Sequence, residues 1–300
     1  MADSSPSTAH AEKIATANVL LEALPYMQSF RGQTFLIKVG GSAMDDPVLV
    51  DKLLKDIVFL EAVGICPVIV HGGGKEISAA MNKAGLEAKF VGGLRVTSGE
   101  AIQIVEQTLS QIINPRIVET IRNHGGKAQG IPGHEVFRAE RLLGQDSETG
   151  EAVDIGYVGK VNYSEPNVIL EAIAQDIVPV ISPVAKELGT DDHLNVNADL
   201  AASALACELN AAKLIYLSDV AGLLEDKDDP TTLISTLHAS DSAAMFESGV
   251  IGGGMIPKVR SAIDALEHGV GKIHMIDGRL AHSLILEVFT DAGIGTEILL

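Results

Sequence analysis

Short stretches that are apolar at nearly every position recur along the 300 residues, among them Phe35–Val39, Pro67–Val70 and Ile177–Val184, with helical patterns between them. Strands covered on both faces need such runs. Their alternation with helices suggests an α/β fold with a mainly parallel central sheet. The pattern predicts strands at Thr34–Val39, Cys66–Val70, Lys127–Ile131, Ile177–Val184, Lys213–Leu217, Gly271–Ile276 and Thr296–Leu299. Helices are expected over Pro47–Val63, Lys75–Ala84, Gly99–Arg122, Glu165–Ala174, Asp199–Leu209, Ser240–Ser248, Pro257–His268 and Ser283–Thr290. Phe137–Tyr157, with Gly-Gln-Asp-Ser-Glu-Thr-Gly at its centre, reads as a hairpin. Ahead of the first strand, Ala15–Phe30 reads as an apolar helix that Pro25 should kink or break, preceded by a disordered dozen residues. Val19, Leu20, Leu21, Leu24, Tyr26 and Met27 make that helix apolar enough to pack on its own domain or on a partner subunit.

Charge narrows the function. Twenty-two basic and forty acidic residues give a formal net charge of −18. Such a surface repels nucleic acid and anionic membranes, and the apolar runs are too short to span a bilayer. Met1-Ala2-Asp3-Ser4-Ser5 has neither the basic head nor the apolar core of a secretory signal, and Cys66 and Cys207 form no metal or redox spacing. A cytoplasmic protein with free thiols is the expectation. Any phosphate or carboxylate ligand must then be held by a local cluster of Lys, Arg and backbone N–H groups that overcomes the global field.

Five segments offer such groups. Lys38-Val39-Gly40-Gly41-Ser42 ends the first strand, where open α/β sheets bind ligands. It lacks the spacing of a Walker A loop, and alone it could be an ordinary turn. His71-Gly72-Gly73-Gly74 joins a strand to a helix. A turn needs one glycine, whereas a backbone nest at a helix N-terminus, built for an anion, uses all three. Gly92-Gly93-Leu94-Arg95-Val96-Thr97 carries a guanidinium suited to bidentate carboxylate contact. In Asn195-Val196-Asn197-Ala198-Asp199 a period of two aligns both asparagines with Asp199, which could also be a plain helix cap. Gly252-Gly253-Gly254-Met255-Ile256-Pro257-Lys258 repeats the logic of glycine loop, lysine and helix start. Each segment has a structural excuse, but jointly they describe a large anionic ligand. No Ser-His-Asp order and no catalytic metal spacing stands out. Phosphoryl transfer to a carboxylate fits this inventory, because the acceptor is already a deprotonated nucleophile and needs no general base. Lys38 and Lys258 could neutralise the transferring group with Asp199 orienting both.

In this order, Lys-x-Gly-Gly, His-Gly-Gly-Gly, Gly-Leu-Arg-Val-Thr, Asn-Val-Asn-Ala-Asp, Ser-Asp-Val-x-Gly and Gly-Gly-Met-Ile-Pro-Lys resemble the amino-acid kinase family and its acetylglutamate branch in arginine synthesis, from about Ala17 to Leu299. The resemblance implies an open three-layer αβα sandwich with a mainly parallel central sheet, divided into an N-terminal tail and oligomerisation helix over 1–33, an acceptor lobe over 34–210 and a nucleotide lobe over 211–300. It makes Lys38 and Lys258 transition-state stabilisers and Asp199 their organiser. Gly73, Gly74, Arg95 and Asn195 would hold N-acetyl-L-glutamate. Gly40 and Gly41 would contact the phosphates of ATP, and Ser218, Asp219 and Gly222 would border the nucleotide, with Mg²⁺ carried mainly on the phosphates. The leading helix looks like that of arginine-inhibited hexamers built from dimers, and Tyr26, Lys213, His274, Glu287 and Gly293 match their arginine site. A PII-type signalling protein is among the partners the resemblance admits.

The sequence departs from the family pattern at Lys75, where proline is usual, at Gly92, where asparagine is common, and at Gly252, where a small hydroxyl or polar residue is frequent. Ile131–Glu140 also matches poorly. Two alternatives stay open: a relative that phosphorylates another carboxylate, and a non-catalytic arginine sensor on the same fold.

Overall fold

The computed structural model describes residues 8–145, 149–226, 228–253, 255–291 and 293–300. The hairpin tip at 146–148, Gly254 of the last glycine loop and the first seven residues lie outside them. The strands are β1 (Thr34–Val39), β2 (Cys66–His71), β3 (Ala128–Ile131), β4 (Phe137–Gln145), β5 (Ala152–Ser164), β6 (Val178–Ile181), β7 (Val184–Glu187), β8 (His193–Val196), β9 (Lys213–Ser218), β10 (Thr236–His238), β11 (Lys272–Asp277) and β12 (Thr296–Leu299), with two short two-stranded ribbons besides. The helices are α1 (Thr8–Phe30), α2 (Pro47–Ala62), α3 (Gly74–Lys83), α4 (Gly99–Glu106), α5 (Asn114–Asn123), α6 (Asn167–Ile173), α7 (Ala198–Glu208), α8 (Ser242–Ser248), α9 (Met255–Glu267) and α10 (Ser283–Val288).

Eight strands form one sheet in the order β10-β12-β11-β9-β1-β2-β6-β3. Neighbours run parallel except β11 and β12, so the expected mainly parallel sheet is present. Alternation along β1 builds the outer layers. Phe35, Ile37 and Val39 enter one core with α2, α4, α5 and α10, while Leu36 enters the other with Val68, Val70, Leu214, Tyr216, α7 and α9. Side chains in a strand alternate faces. Lys38 therefore emerges on the Leu36 side, toward α7, and at the carboxyl end of the sheet's central strands.

Four differences from the sequence expectation have physical causes. The expected single helix over Gly99–Arg122 is α4 and α5 joined by a π-helical turn, Gln107–Ile113. Pro115 has no N–H to give the carbonyl four residues back, and its ring crowds that carbonyl, so the ladder widens. The expected strand Ile177–Val184 divides at Ser182-Pro183 into β6, which stays in the sheet, and β7, which leaves it. β7 then closes with β8, β5 and β4 into a small four-stranded barrel, in which β4 and β5 are the expected hairpin, extended to Ser164. Finally, α1 begins at Thr8 inside the stretch expected to be disordered, and it runs past Pro25 unbroken. Leu21 and Pro25 are both exposed, so water can satisfy the carbonyl that the proline frees.

Candidate active site

Two glycine loops meet above the carboxyl ends of β1 and β2, with the π-helical turn packed against the second of them. The loop after β1 is fastened to the loop after β2 by the Gly72 N–H, which donates to the Val39 carbonyl at 2.7 Å. A Cβ on Gly40 would lie 2.5 Å from Lys38 Nζ, so glycine at this position lets the lysine fold back over the loop. Gly41 has φ +63°, a conformation glycine adopts without strain. After β2 the chain reaches Gly73, the N-cap of α3, which has no side chain to occupy the first amides of the helix. Those amides and the positive end of the helix dipole are left for an anion. A Cβ on Gly73 would strike Ile113 at 2.4 Å and Leu109 at 2.8 Å, so the π-helical turn packs directly against this loop.

The charged centre sits between β1 and α7. Lys38 Nζ is 2.7 Å from Asp199 Oδ1, and Lys258 Nζ at the start of α9 is 3.9 Å from Asp199 Oδ2. Asp199 is free for this pairing because Asn197 caps α7: its Oδ1 accepts from the N–H groups of Asp199 at 2.8 Å and Leu200 at 3.2 Å. The capping role that Asp199 could have had belongs to Asn197. One carboxylate thus holds two ammonium groups at the edge of a cavity of about 790 Å³, the size of a small-molecule site.

The cavity is lined by Lys38, Gly41, Gly73, Gly74, Arg95, Asn195, Asp199 and Asp219 among others. Arg95 is buried, and its guanidinium donates to the Gly74 carbonyl and to Ser78 Oγ, each at 2.9 Å, while lying 4.7 Å from the Phe90 ring centroid. Burial lowers its pKa, and among the described residues no carboxylate pairs with it. Asn195 Nδ2 donates to Thr97 Oγ1 at 3.2 Å. Lys75, at the first departure, forms an ion pair with Asp45 on the rim. Ser218 Oγ bonds within its own turn, to the Val220 carbonyl. Gly222 does not line the cavity: a Cβ there would meet Thr296 Oγ1 at 2.5 Å, so its glycine serves packing against β12.

Beneath the loop, His71 of the triple-glycine segment pairs with Asn114, a residue that sequence reading did not single out. His71 is completely buried, with Nδ1 2.8 Å from the Gly72 carbonyl and Nε2 3.3 Å from Asn114 Nδ2, which also donates to the Val180 carbonyl at 2.8 Å. The network assigns a neutral ring that donates from Nδ1 and accepts at Nε2. Asn114, where the π-helical turn hands over to α5, is a polar residue on a buried helix face, and that mismatch with its apolar neighbours was the available signal.

A second cluster lies at the other end of the sheet, remote from these loops in sequence. Lys213 Nζ is 2.8 Å from His274 Nε2, and His274 Nδ1 is 2.6 Å from Glu287 Oε1. Glu287 Oε2 accepts from the Ile294 and Gly295 N–H groups at 2.7 and 3.0 Å. Lys213 Nζ also lies 5.1 Å from the Phe30 ring of α1. Tyr26 Oη donates to Asp291, and Gly293 adopts φ +59° against the Glu287 carboxylate. Burial lowers the Lys213 pKa to about 8. Burial pushes Glu287 up, but bonds from His274 and the two amides outweigh it and hold the carboxyl below its usual range. All five residues named for an effector site are therefore gathered in one neighbourhood.

Residues 33–277 match the model of the amino acid kinase family. The chain is 58% identical to an acetylglutamate kinase of Akkermansia muciniphila, over 95% of this chain and 96% of that protein. It is 47% identical to an acetylglutamate kinase of Pelotomaculum thermopropionicum, over 94% and 97%. Among solved structures, N-acetylglutamate synthase of Neisseria gonorrhoeae, complexed with coenzyme A and N-acetyl-glutamate, superposes with a TM-score of 0.81 at 24% identity. That match takes in 95% of this chain and spans 63% of the synthase.

Burial holds the His71 pKa down at about 4, whereas an unfolded histidine titrates near 6.5. Between those values the unfolded chain binds the proton and the folded one does not, so stability falls as pH drops through this window. Denaturant titrations from pH 7 to pH 4 should show a loss of up to about 3 kcal/mol from this group. His71→Gln should flatten that part of the profile, and an unchanged slope would mean that His71 is not the buried neutral group.

Proposed function

The chain belongs to the amino acid kinase family, and from that premise we propose that it moves the γ-phosphoryl group of ATP onto the γ-carboxylate of N-acetyl-L-glutamate, giving N-acetyl-L-glutamyl 5-phosphate. The observation that carries the reading is Asp199 shared between Lys38 and Lys258 beside an anion-ready glycine loop. The acceptor carboxylate is the nucleophile, so positioning and charge neutralisation suffice. Gly73 and Gly74 amides, Arg95 and Asn195 hold the acceptor. Gly40 and Gly41 contact the phosphates, and Ser218 and Asp219 border the nucleotide. Lys38 and Lys258, braced by Asp199, face the charge that builds on the transferring group. Mg²⁺ would be held mainly by the phosphates of the nucleotide, since Asp199 is committed to two lysines and Asp45 to Lys75, and it would add charge neutralisation there. In this reading residues 34–210 form the acceptor lobe and 211–300 the nucleotide lobe, joined through the β1–β9 pairing.

ADP release should require N-acetyl-L-glutamate and be absent with glutamate or aspartate. Lys258→Ala should lower kcat about 10²–10³-fold with little change in acceptor KM, since the lost contact strengthens in the transition state. Turnover of glutamate or aspartate would favour the broader carboxylate kinase. No turnover by folded protein that still binds arginine would favour the sensor.

The second cluster supports arginine feedback. A carboxylate held ionised at Glu287 suits a guanidinium, and the Lys213 ammonium suits an α-carboxylate. Millimolar arginine should suppress turnover of the native chain, and Glu287→Gln should relieve that inhibition while leaving uninhibited turnover near normal. An enzyme indifferent to arginine removes the effector role.

Helix α1 supports assembly. Its Val19, Leu20 and Leu21 are more than half exposed, whereas Tyr26, Met27 and Phe30 pack on the core. A hexamer built from dimers joined through this apolar side is the proposed assembly. Removing residues 1–30 should reduce the mass seen by light scattering without unfolding the rest, and an unchanged mass would sink the idea.

A further inference from the structure

Glu106, His134 and His193 take no part in the reaction proposed above, and 87 residues separate the first from the last. The fold nevertheless brings them to one point. Glu106 is the last residue of α4, where the helix passes into the π-helical turn. His134 lies in a 3₁₀ turn, Gly133–Glu135, inside the segment that departs from the family pattern, and His193 opens β8. His134 Nδ1 is 3.1 Å from Glu106 Oε1, and His193 Nδ1 is 2.9 Å from Glu106 Oε2. The two imidazoles stack with centroids 4.2 Å apart and planes 11° from parallel. Among the described residues this is the one group of three His, Cys, Asp or Glu side chains whose ligand atoms all lie within 4.8 Å of one another.

We propose that Glu106, His134 and His193 bind a divalent transition-metal ion such as Zn²⁺, at a site separate from the nucleotide's Mg²⁺. Two imidazole nitrogens and one carboxylate oxygen are a borderline donor set that suits zinc, cobalt or nickel, whereas Mg²⁺ takes oxygen ligands. Donors about 2.0–2.2 Å from a tetrahedral ion stand roughly 3.3 Å apart, close to the spacings seen here. Hydrogen bonds from both rings to Glu106 would give similar distances, but His134 Nδ1 is buried and has no partner at hydrogen-bonding angles. An ion supplies that partner. Stacked rings do not aim both lone pairs at one point, so loading turns each imidazole about χ2, a torsion with broad minima. The side chains are 26–28% exposed, which leaves a path for entry and room for water as a further ligand.

The ion would join two walls of the acceptor cavity. Period two places His193 and Asn195 on the same face of β8. Leu109, one turn beyond Glu106, lines the cavity and packs against Gly73. A metal linking Glu106 to His193 therefore clamps the α4 end to β8, a structural and positioning role.

The test uses the full chain after treatment with chelator, without nucleotide or acceptor, titrated with Zn²⁺ alone by calorimetry. One equivalent per chain is expected, with affinity at least tenfold weaker in His134→Ala and Glu106→Gln. Zn²⁺ should raise the Tm of the native chain and not that of the variants. X-ray absorption on the Co²⁺-loaded native chain gives a readout that needs no variant, with about two imidazoles in a four-coordinate shell as the expected signature. Absence of Zn²⁺ binding by the native chain, binding undiminished in folded variants, or a Co²⁺ shell without imidazole would each overturn the proposal. None of these readouts depends on catalysis, so failure here and failure of the proposed reaction are separable.

Discussion

The contact between Lys38 and Asp199 governs the geometry of the rest. It joins the end of the central strand to the start of the helix that covers it, and it does so with opposite charges largely withdrawn from water. Such a pair is expensive to assemble and costly to break from one side, so the surroundings are arranged around it. Gly40 has no Cβ to push the lysine away. Asn197 takes over the cap of α7, which keeps both oxygens of Asp199 available, and the second oxygen then draws in Lys258 from α9. Three chain segments far apart in sequence thereby set two ammonium groups beside one carboxylate in a molecule whose formal charge is −18. Two ammonium groups to one carboxylate leave a local excess of one positive charge, which the proposed approach of two anions would use.

Buried polar groups elsewhere follow the same economy of satisfaction. His71 stays neutral because its ring is enclosed and both nitrogens have partners, and it holds the triple-glycine loop to β6 through Asn114. At the far end of the sheet, Lys213, His274 and Glu287 form a chain of contacts from α1 to the loop before β12. Buried polar networks are costly when half satisfied. This one is closed by backbone amides on one side and aromatic faces on the other.

Sequence alone carried the order and kind of nearly all the sheet strands, because continuous apolar runs bounded by glycine have few other solutions. β10 was missed: three residues at a sheet edge give too short a pattern. The π-helical turn and the division of Ile177–Val184 were missed because each depends on one proline acting against a strong apolar pattern. The metal-type cluster was invisible for another reason. Glu106, His134 and His193 have no mutual spacing, and only the packing of α4, a 3₁₀ turn and the barrel makes them neighbours.

The chain's residues by themselves determined the α/β architecture, the positions of the glycine loops and the identity of the lysines beside them, since period and glycine content are local properties of the polypeptide. Tertiary structure decided that Asn197 rather than Asp199 caps α7, that Gly222 packs instead of lining the cavity, that Asn114 reaches His71, and that Glu106 meets two histidines. Those outcomes depend on distances between segments separated by tens to hundreds of residues. Such distances are set by how the layers pack on the sheet, and no local pattern encodes them.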